Sequence, residues 1–170
     1  MILATARLLL RPFVAADIPA YAAIRADAEV MRHMPGGTAR AATAEADAAR
    51  LVPDFAAQWQ TIGYGPWAVT DGTTGALLGH GGLRLLPDLG GETEVLYLLA
   101  RCAWGQGIAT EVALAAREVG FGALGLPRLV GYAAPDNTAS CRVLEKAGLA
   151  FEGEVEVFGL TARRYVAERP

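Results

Sequence analysis

The 170-residue chain predicts an α/β (α+β) fold, and three observations carry that reading. An apolar stretch from Glu94 to Ala100 leads through a Gly105-x-Gly107 turn into Ile108, Val112, Ala115 and Val119 at helical spacing, and a second strand follows at 128–134. Strand-like runs punctuated by turn residues precede this unit. An alanine-rich helical arm precedes those in turn, so the chain combines helix pairs, a β-meander and one strand–helix–strand crossover.

Taken in order, residues 7–11 alternate and stop at Pro12, as a strand does. Residues 16–26 and 42–60 read as helices, separated by Pro35-Gly-Gly37, and Gly63-Tyr-Gly-Pro66 ends the second. Residues 67–70 and 76–86 read as strands around Asp71-Gly72, and the strand beginning at Glu94 continues the meander. A helix over 107–120 then crosses to the strand at 128–134. A helix over 138–147 ends at Gly148, and strands at 150–157 and 160–167 close the sheet. No internal repeat or linker interrupts the chain, and its length suits one domain.

Composition narrows the function. Hydrophobic residues make up 53% of the chain and the formal charge is −3. Such a balance offers no basic surface for nucleic acid, whose phosphates require Lys and Arg. No apolar run approaches the ~20 residues of a membrane span, and the N-terminus reads as a strand rather than a signal peptide, so a cytoplasmic protein without a membrane partner is expected. Cys102 and Cys141 form no disulfide framework and show no metal-type spacing with His33 or His80, so no metal is expected.

The glycine turn is the strongest chemical signal. Without Cβ atoms, Gly105 and Gly107 let the backbone turn sharply and approach a ligand. The following helix begins there, and its first N–H groups lack intrahelical partners and sit at the positive end of the macrodipole, a setting for a pyrophosphate. A ligand-free tight turn has the same local sequence. A dinucleotide fingerprint has Thr110 where its third glycine belongs, although Asp136 stands past the next strand where a ribose-binding acid could lie. A Walker loop fails because no Lys follows.

Three ordered motifs add a resemblance. Trp104-Gly-Gln-Gly-Ile-Ala109 resembles the acyl-CoA pyrophosphate loop of the GNAT N-acetyltransferase superfamily, written Gln/Arg-x-x-Gly-x-Gly/Ala. Trp104 with Thr110-Glu111 is similar to the branch containing ribosomal-protein N-terminal acetyltransferases. Asn137-Thr-Ala-Ser-Cys-Arg-Val-Leu-Glu-Lys-Ala-Gly-Leu149 resembles that branch's Asn-x-x-Ser-x-x-x-Leu-Glu-Lys-x-Gly-Phe, with Leu149 for Phe. Thr5-Ala-Arg-Leu-Leu-Leu-Arg-Pro-Phe13, followed by Asp17, resembles its opening strand.

The resemblance implies a mixed, mostly antiparallel sheet of about seven strands with a splayed parallel pair, here the strands from Glu94 and Arg128, and helices on its flanks. It implies acetyl-CoA as cosubstrate. Its diphosphate would meet the backbone of Gly105, Gln106, Gly107, Ile108, Ala109 and Thr110 beside Trp104. Its pantetheine would pair with free backbone groups at Leu98 and Leu99, and Asn137 and Arg142 would assist. The partner is an amine acceptor, a protein N-terminus or a small molecule, and a homodimer is compatible.

Acetyl transfer to an amine needs the nitrogen deprotonated, and acceptor pKa values run from near ~8 for α-amino groups to ~10.4 for lysine. The resemblance makes Glu94 the first candidate base, with Glu92 and His80 in reserve; a solvated strand-end carboxylate and a hydrogen-bonded imidazole are the competing readings. Many superfamily members protonate the departing thiolate with a tyrosine. Leu144 stands at the matching position, which leaves Ser140 as the candidate acid or a helix-capping serine. A backbone N–H near Leu99 would stabilise the carbonyl oxygen. Arg101, Arg142 and Lys146 are candidates for the 3′-phosphate. Glu111 is explained by the helix dipole, and Arg32, His33, Tyr64 and His80 are the candidate acceptor contacts, with Met31, Met34, Trp59 and Trp67 as weaker ones. Two other classes stay open: a non-catalytic acyl-CoA sensor and a dinucleotide-binding oxidoreductase domain.

Overall fold

The computed structural model describes residues 1–170. Its strands are β1 (Leu3–Ala4), β2 (Leu8–Arg11), β3 (Pro66–Asp71), β4 (Leu77–Leu86), β5 (Glu92–Leu99), β6 (Arg128–Ala133), β7 (Ala150–Val157) and β8 (Leu160–Glu168). They form one sheet in the order β1-β2-β3-β4-β5-β6-β8-β7. The eighth strand, absent from the sequence reading, is the two-residue β1, too short for any periodicity to reveal. Helices are α1 (Ile18–Arg25), α2 (Ala28–Met31), α3 (Ala44–Ile62), α4 (Ile108–Phe121) and α5 (Thr138–Lys146). None is long and apolar enough to cross a membrane.

Short α2 also went unread. It starts where the Asp27 side chain accepts a bond from the Glu29 N–H, a cap that shows in the sequence only as one Asp among alanines. The expected helix over 16–26 is a 3₁₀ turn at Ala15–Asp17 that continues into α1. The one expected over 42–60 begins as a 3₁₀ segment at Gly37–Thr43.

All sheet neighbours pair antiparallel except β5 and β6, which are parallel and meet in register at a single pair, Glu94 with Val130. This arrangement excludes the dinucleotide reading, which needs a doubly wound parallel sheet. Beyond Glu94, β5 keeps pairing with β4 as far as Leu99 and β6 with β8 as far as Ala133, so the two strands part and leave a gap.

The main core lies on one face of the sheet beneath α4 and α5. It gathers Val95, Leu99, Val112, Ala116, Leu129, Leu144 and Tyr165 among others. Helix α4 sits close to the sheet because it presents Ala113 and Ala116 and faces Gly81, where a Cβ would stand 2.5 Å from Val112 Cγ1. A methyl group there would lift the helix or displace Val112. On the opposite face the helical arm packs two smaller clusters, one around Phe13, Tyr21, Val52 and Phe55, the other around Ile24, Met31 and Leu98.

Candidate active site

Strand β5 separates two surfaces because successive side chains alternate. Val95, Tyr97 and Leu99 face α4 and α5, whereas Glu94 and Leu98 face the arm.

The backbone alternates as well. The Ala100 N–H donates to the Leu78 carbonyl and sets the phase of the β4–β5 ladder, so Leu98 exchanges its bonds with His80 while Tyr97 and Leu99 turn their amides toward the gap. Leu98 therefore has no free backbone group, contrary to the sequence expectation. At Leu99 the carbonyl is already held by the Trp104 indole N–H at 2.8 Å, which leaves its N–H facing the gap. Trp104, 47% exposed, thus fixes the end of the strand.

At the mouth of the gap α4 opens after Gly107, whose φ is 75°; Gly105 has φ 70°. Both are left-handed backbone, which glycine adopts without steric cost. A Cβ on Gly105 would meet nothing within 4 Å, and one on Gly107 only Arg7 Nη2 at 3.7 Å. The turn is therefore open on its outer side and not filled by the protein. Gln106 bonds the Cys102 carbonyl at 2.5 Å through its side chain, Ile108 buries its side chain in the core, and Ala109 and Thr110 are half-buried.

Arg7 braces this loop, a role the sequence did not disclose. Its Nη1 donates to the Gln106 carbonyl at 2.7 Å and its Nε to Glu111 at 2.8 Å, and Glu111 also accepts from the Arg7 N–H and from Thr5 Oγ1. Partial burial works against the Glu111 charge, but these bonds from Thr5 and Arg7 outweigh it and lower its pKa. Glu111 is thus more than a dipole partner: it ties β1–β2 to the phosphate-type turn.

On α5, Asn137 accepts the Ser140 N–H at 3.1 Å, the capping role. Ser140 Oγ donates to the Tyr97 hydroxyl at 3.0 Å, and the Tyr97 O–H donates to the Ser140 carbonyl at 3.0 Å. Burial pushes the Tyr97 phenol above its ordinary pKa, so it stays neutral and able to donate. Leu144 is core, 1% exposed against Gly131. A tyrosine hydroxyl is therefore present beside Ser140, carried by β5 rather than by the helix. Its signal was the period-two spacing Val95, Tyr97, Leu99. Arg142 and Lys146 are exposed, while Arg101 pairs with Asp27 at 3.7 Å across to the arm.

Glu94 is 5% exposed yet lines a cleft of about 540 Å³ that Arg32, His33, Met34 and Arg84 also line. Burial raises its pKa and Arg84 opposes that rise, the net direction being upward. Arg84 stands opposite it across the β4–β5 ladder, and both contacts, 2.9 Å from Nε and 2.5 Å from Nη2, fall on Oε2. Oε1 is left for other partners. Glu92 is instead engaged by Arg164 and by the Tyr132 hydroxyl at 3.2 Å.

Two expected acceptor contacts lie elsewhere. His80 is 4% exposed, with Nδ1 2.8 Å from the Tyr21 hydroxyl and its ring against Phe55; burial, with Arg25 and Arg84 nearby, pulls its pKa down to about 3. Such an imidazole is a neutral core group and not a base. Tyr64 is also core, its hydroxyl 2.8 Å from Thr93 Oγ1. Met31, Trp59 and Trp67 are buried as well. Arg32 and His33 do reach the cleft, the latter 3.4 Å from Asp136.

Residues 7–150 match the family described as the acetyltransferase (GNAT) domain. The chain belongs to the GNAT acetyltransferase family. It is 33% identical over 152 residues to the uncharacterized N-acetyltransferase YoaA of Bacillus subtilis, covering 89% of this chain and 84% of that protein. An acetyltransferase from Agrobacterium tumefaciens superposes with a TM-score of 0.80 at 29% identity, over 99% of this chain and 94% of that one. RimL, a ribosomal L7/L12 α-N-protein acetyltransferase solved with coenzyme A, shares the fold with a TM-score of 0.81 at 16% identity, over 99% and 98% of the two chains. GNAT enzymes transfer acetyl groups to amines and bind coenzyme A or its acetyl thioester, and the turn before α4 fits that ligand: it is open, and it presents unpaired helix N–H groups.

Proposed function

We propose that the chain is an acetyl-CoA-dependent N-acetyltransferase in which a primary amine attacks the thioester directly, within a ternary complex. The observation that carries this reading is the geometry of β5. One edge opens on the gap beside the α4 N-terminus, and the neighbouring face places a buried carboxylate in a separate cleft.

Acetyl-CoA supplies the activated acyl group. Backbone N–H groups from Gly105 to Thr110 hold the diphosphate, with only small residues, Gly107 and Ala109, between them and the ligand. Tyr97 offers its free backbone groups to the pantetheine, and the Leu99 N–H, the one group that residue has free, faces the acyl oxygen, where a preplaced donor counts most. The Asn137 amide and Arg142 lie beside this path. Glu94 Oε1 takes the amine proton, directly or through water, while Arg84 on Oε2 keeps the carboxylate ionised and oriented. Ser140 swings its O–H from Tyr97 to the departing sulfur, while the Tyr97 O–H, donating to the Ser140 carbonyl, keeps the residue in place. No residue needs to carry the acetyl group.

The test is acetyl transfer from acetyl-CoA to a panel of N-terminal peptides and small amines, read as free thiol release and as acetyl mass on the acceptor. Intersecting initial-rate lines are expected. A ping-pong pattern overturns direct attack, and acetyl-CoA binding without thiol release across the panel returns the sensor reading.

A further inference from the structure

The acceptor cleft is electrically balanced. Arg32, Arg84, Glu94 and Asp136 are its charged lining, but only Glu94 is buried, and it is paired with Arg84; Asp136 is 79% exposed at the rim, 3.4 Å from His33, a pair that is ionic only when the imidazole is protonated. Arg32 points to Glu29 at 3.5 Å. A polycation would bring several ammonium groups out of water into a cleft whose only buried acid is Glu94, and burying the others without a partner is costly. The remaining walls are largely apolar, with Met34, Pro35, Pro135, Val157 and Leu160 among them.

Phe158 is the odd member of that wall. Val157 pairs with Leu160, so the β7–β8 hairpin turns on two residues, Phe158 and Gly159, at φ 54° and 73°. Such turns take Asn-Gly or Gly-Gly, because the first position needs a left-handed backbone. Phe158 is the one non-glycine residue of the chain with positive φ. Its ring is 43% exposed, so burial offsets little of that local preference. The ring lies 5.1 Å from the Arg84 guanidinium and edge-on to Tyr132 at 5.8 Å. Arg84 thus links the ring to the carboxylate, and an amine beside Glu94 is a short tether away from an exposed aromatic face. Backbone held against its preference gathers at ligand-contacting positions.

Resting on the acetyltransferase reading, we infer that the acceptor is a monoamine carrying a flat apolar group, which packs on Phe158 while its nitrogen meets Glu94. Polyamines and aminoglycosides are disfavoured, because one buried carboxylate serves one ammonium. The ring selects the acceptor, and the carboxylate and its arginine serve any amine that enters.

The experiment compares 2-phenylethylamine, propylamine and spermidine with the full chain and acetyl-CoA, read by mass of the acetylated amine. Phenylethylamine should exceed spermidine in kcat/KM by about tenfold or more, and Phe158→Ala should remove about tenfold for phenylethylamine while propylamine changes by about twofold at most. Phe158→Asn suits the turn, so it keeps the fold and should show the same selective loss. Thermal protection by acetyl-CoA should persist in both variants. Equal losses on phenylethylamine and propylamine, preference for spermidine, or acetylation of propylamine but not phenylethylamine each overturns the inference and leaves the acetyltransferase reading intact. Loss of that broader reading shows differently: the parent protein would gain no protection from acetyl-CoA.

Discussion

In the proposed function the two sides of β5 recognise by different means. On the gap side the chain offers backbone: the left-handed turn at Gly105 and Gly107, the unpaired N–H groups of α4 and the amide of Leu99. On the arm side it offers side chains brought from separate elements: Glu94 from β5, Arg84 from β4, His33 from the segment after α2 and Phe158 from the β7–β8 turn. Backbone recognition tolerates change in side chains but not added bulk. Side-chain recognition can be retuned one residue at a time, and that is the side proposed to meet the acceptor.

The largest break in this contrast should come from Glu94→Gln. Removing the base is expected to lower kcat by about 10²-fold or more while acetyl-CoA affinity holds, read by steady-state kinetics beside calorimetry. The pH profile sharpens it: with the Glu94 pKa raised, the rate should climb as pH passes above the ordinary carboxylate range, and Arg84→Met should move that limb to still higher pH, since the guanidinium opposes the rise.

On the other side, Gly107→Val should weaken acetyl-CoA binding by at least ~tenfold, about 1.4 kcal/mol. The substituted residue also sits at φ 75°, which adds about 1–2 kcal/mol of backbone strain, so the calorimetry belongs on protein shown to be folded. Parent-like affinity in a folded variant would remove the central support for a diphosphate site.

Tyr97→Phe and Ser140→Ala probe the gap edge between the two. Each should lower kcat several-fold with little change in acetyl-CoA affinity, and the double variant should lose little more than either single one, because both hydroxyls act on one hydrogen-bonded station. Additive losses would show that they act separately.

A stability measurement isolates the arm. The His80 pKa falls from 6.5 in the unfolded chain to about 3 in the fold, so the folded state binds fewer protons between those values. Stability from this group is full above about pH 6.5 and is lost as pH falls toward 3, on the order of a few kcal/mol. His80→Gln should flatten the drop in Tm between pH 7 and 4. An unchanged slope would place the acid sensitivity in other groups. The smallest effect is expected from Arg7→Ala: its side chain is 47% exposed, so the Glu111 pair should contribute no more than about 1 kcal/mol, with acetyl-CoA affinity falling only a few-fold.

The legibility of the site divides along the same line. The glycine turn could be read because the requirement lies in consecutive residues: a chiral side chain is unfavourable where φ is positive, and the following helix exposes its N–H groups wherever it starts. Asn137 and Ser140 were legible for the same reason, three residues apart on one turn. Glu94 as an acid at a strand start was visible, but its partner was not: Arg84 stands opposite only through the β4–β5 register, ten residues away in sequence. Tyr97 was hidden because a tyrosine in a strand usually reads as core, and His80 and Tyr64 were misplaced because nothing local reveals whether a polar ring meets solvent or Tyr21 and Thr93.

By itself the sequence determined the fold class, the order of strands and helices apart from β1 and α2, and the glycine turn that opens α4, since these follow from periodicity, capping and the steric freedom of glycine over short stretches. Tertiary structure alone decided which amides β5 leaves free, where Tyr97 and Arg84 stand, that His80 is buried and neutral, and that the cleft beside Glu94 is walled by Phe158. Those properties depend on pairing register and on desolvation, and both arise only when residues far apart in the chain exclude water together.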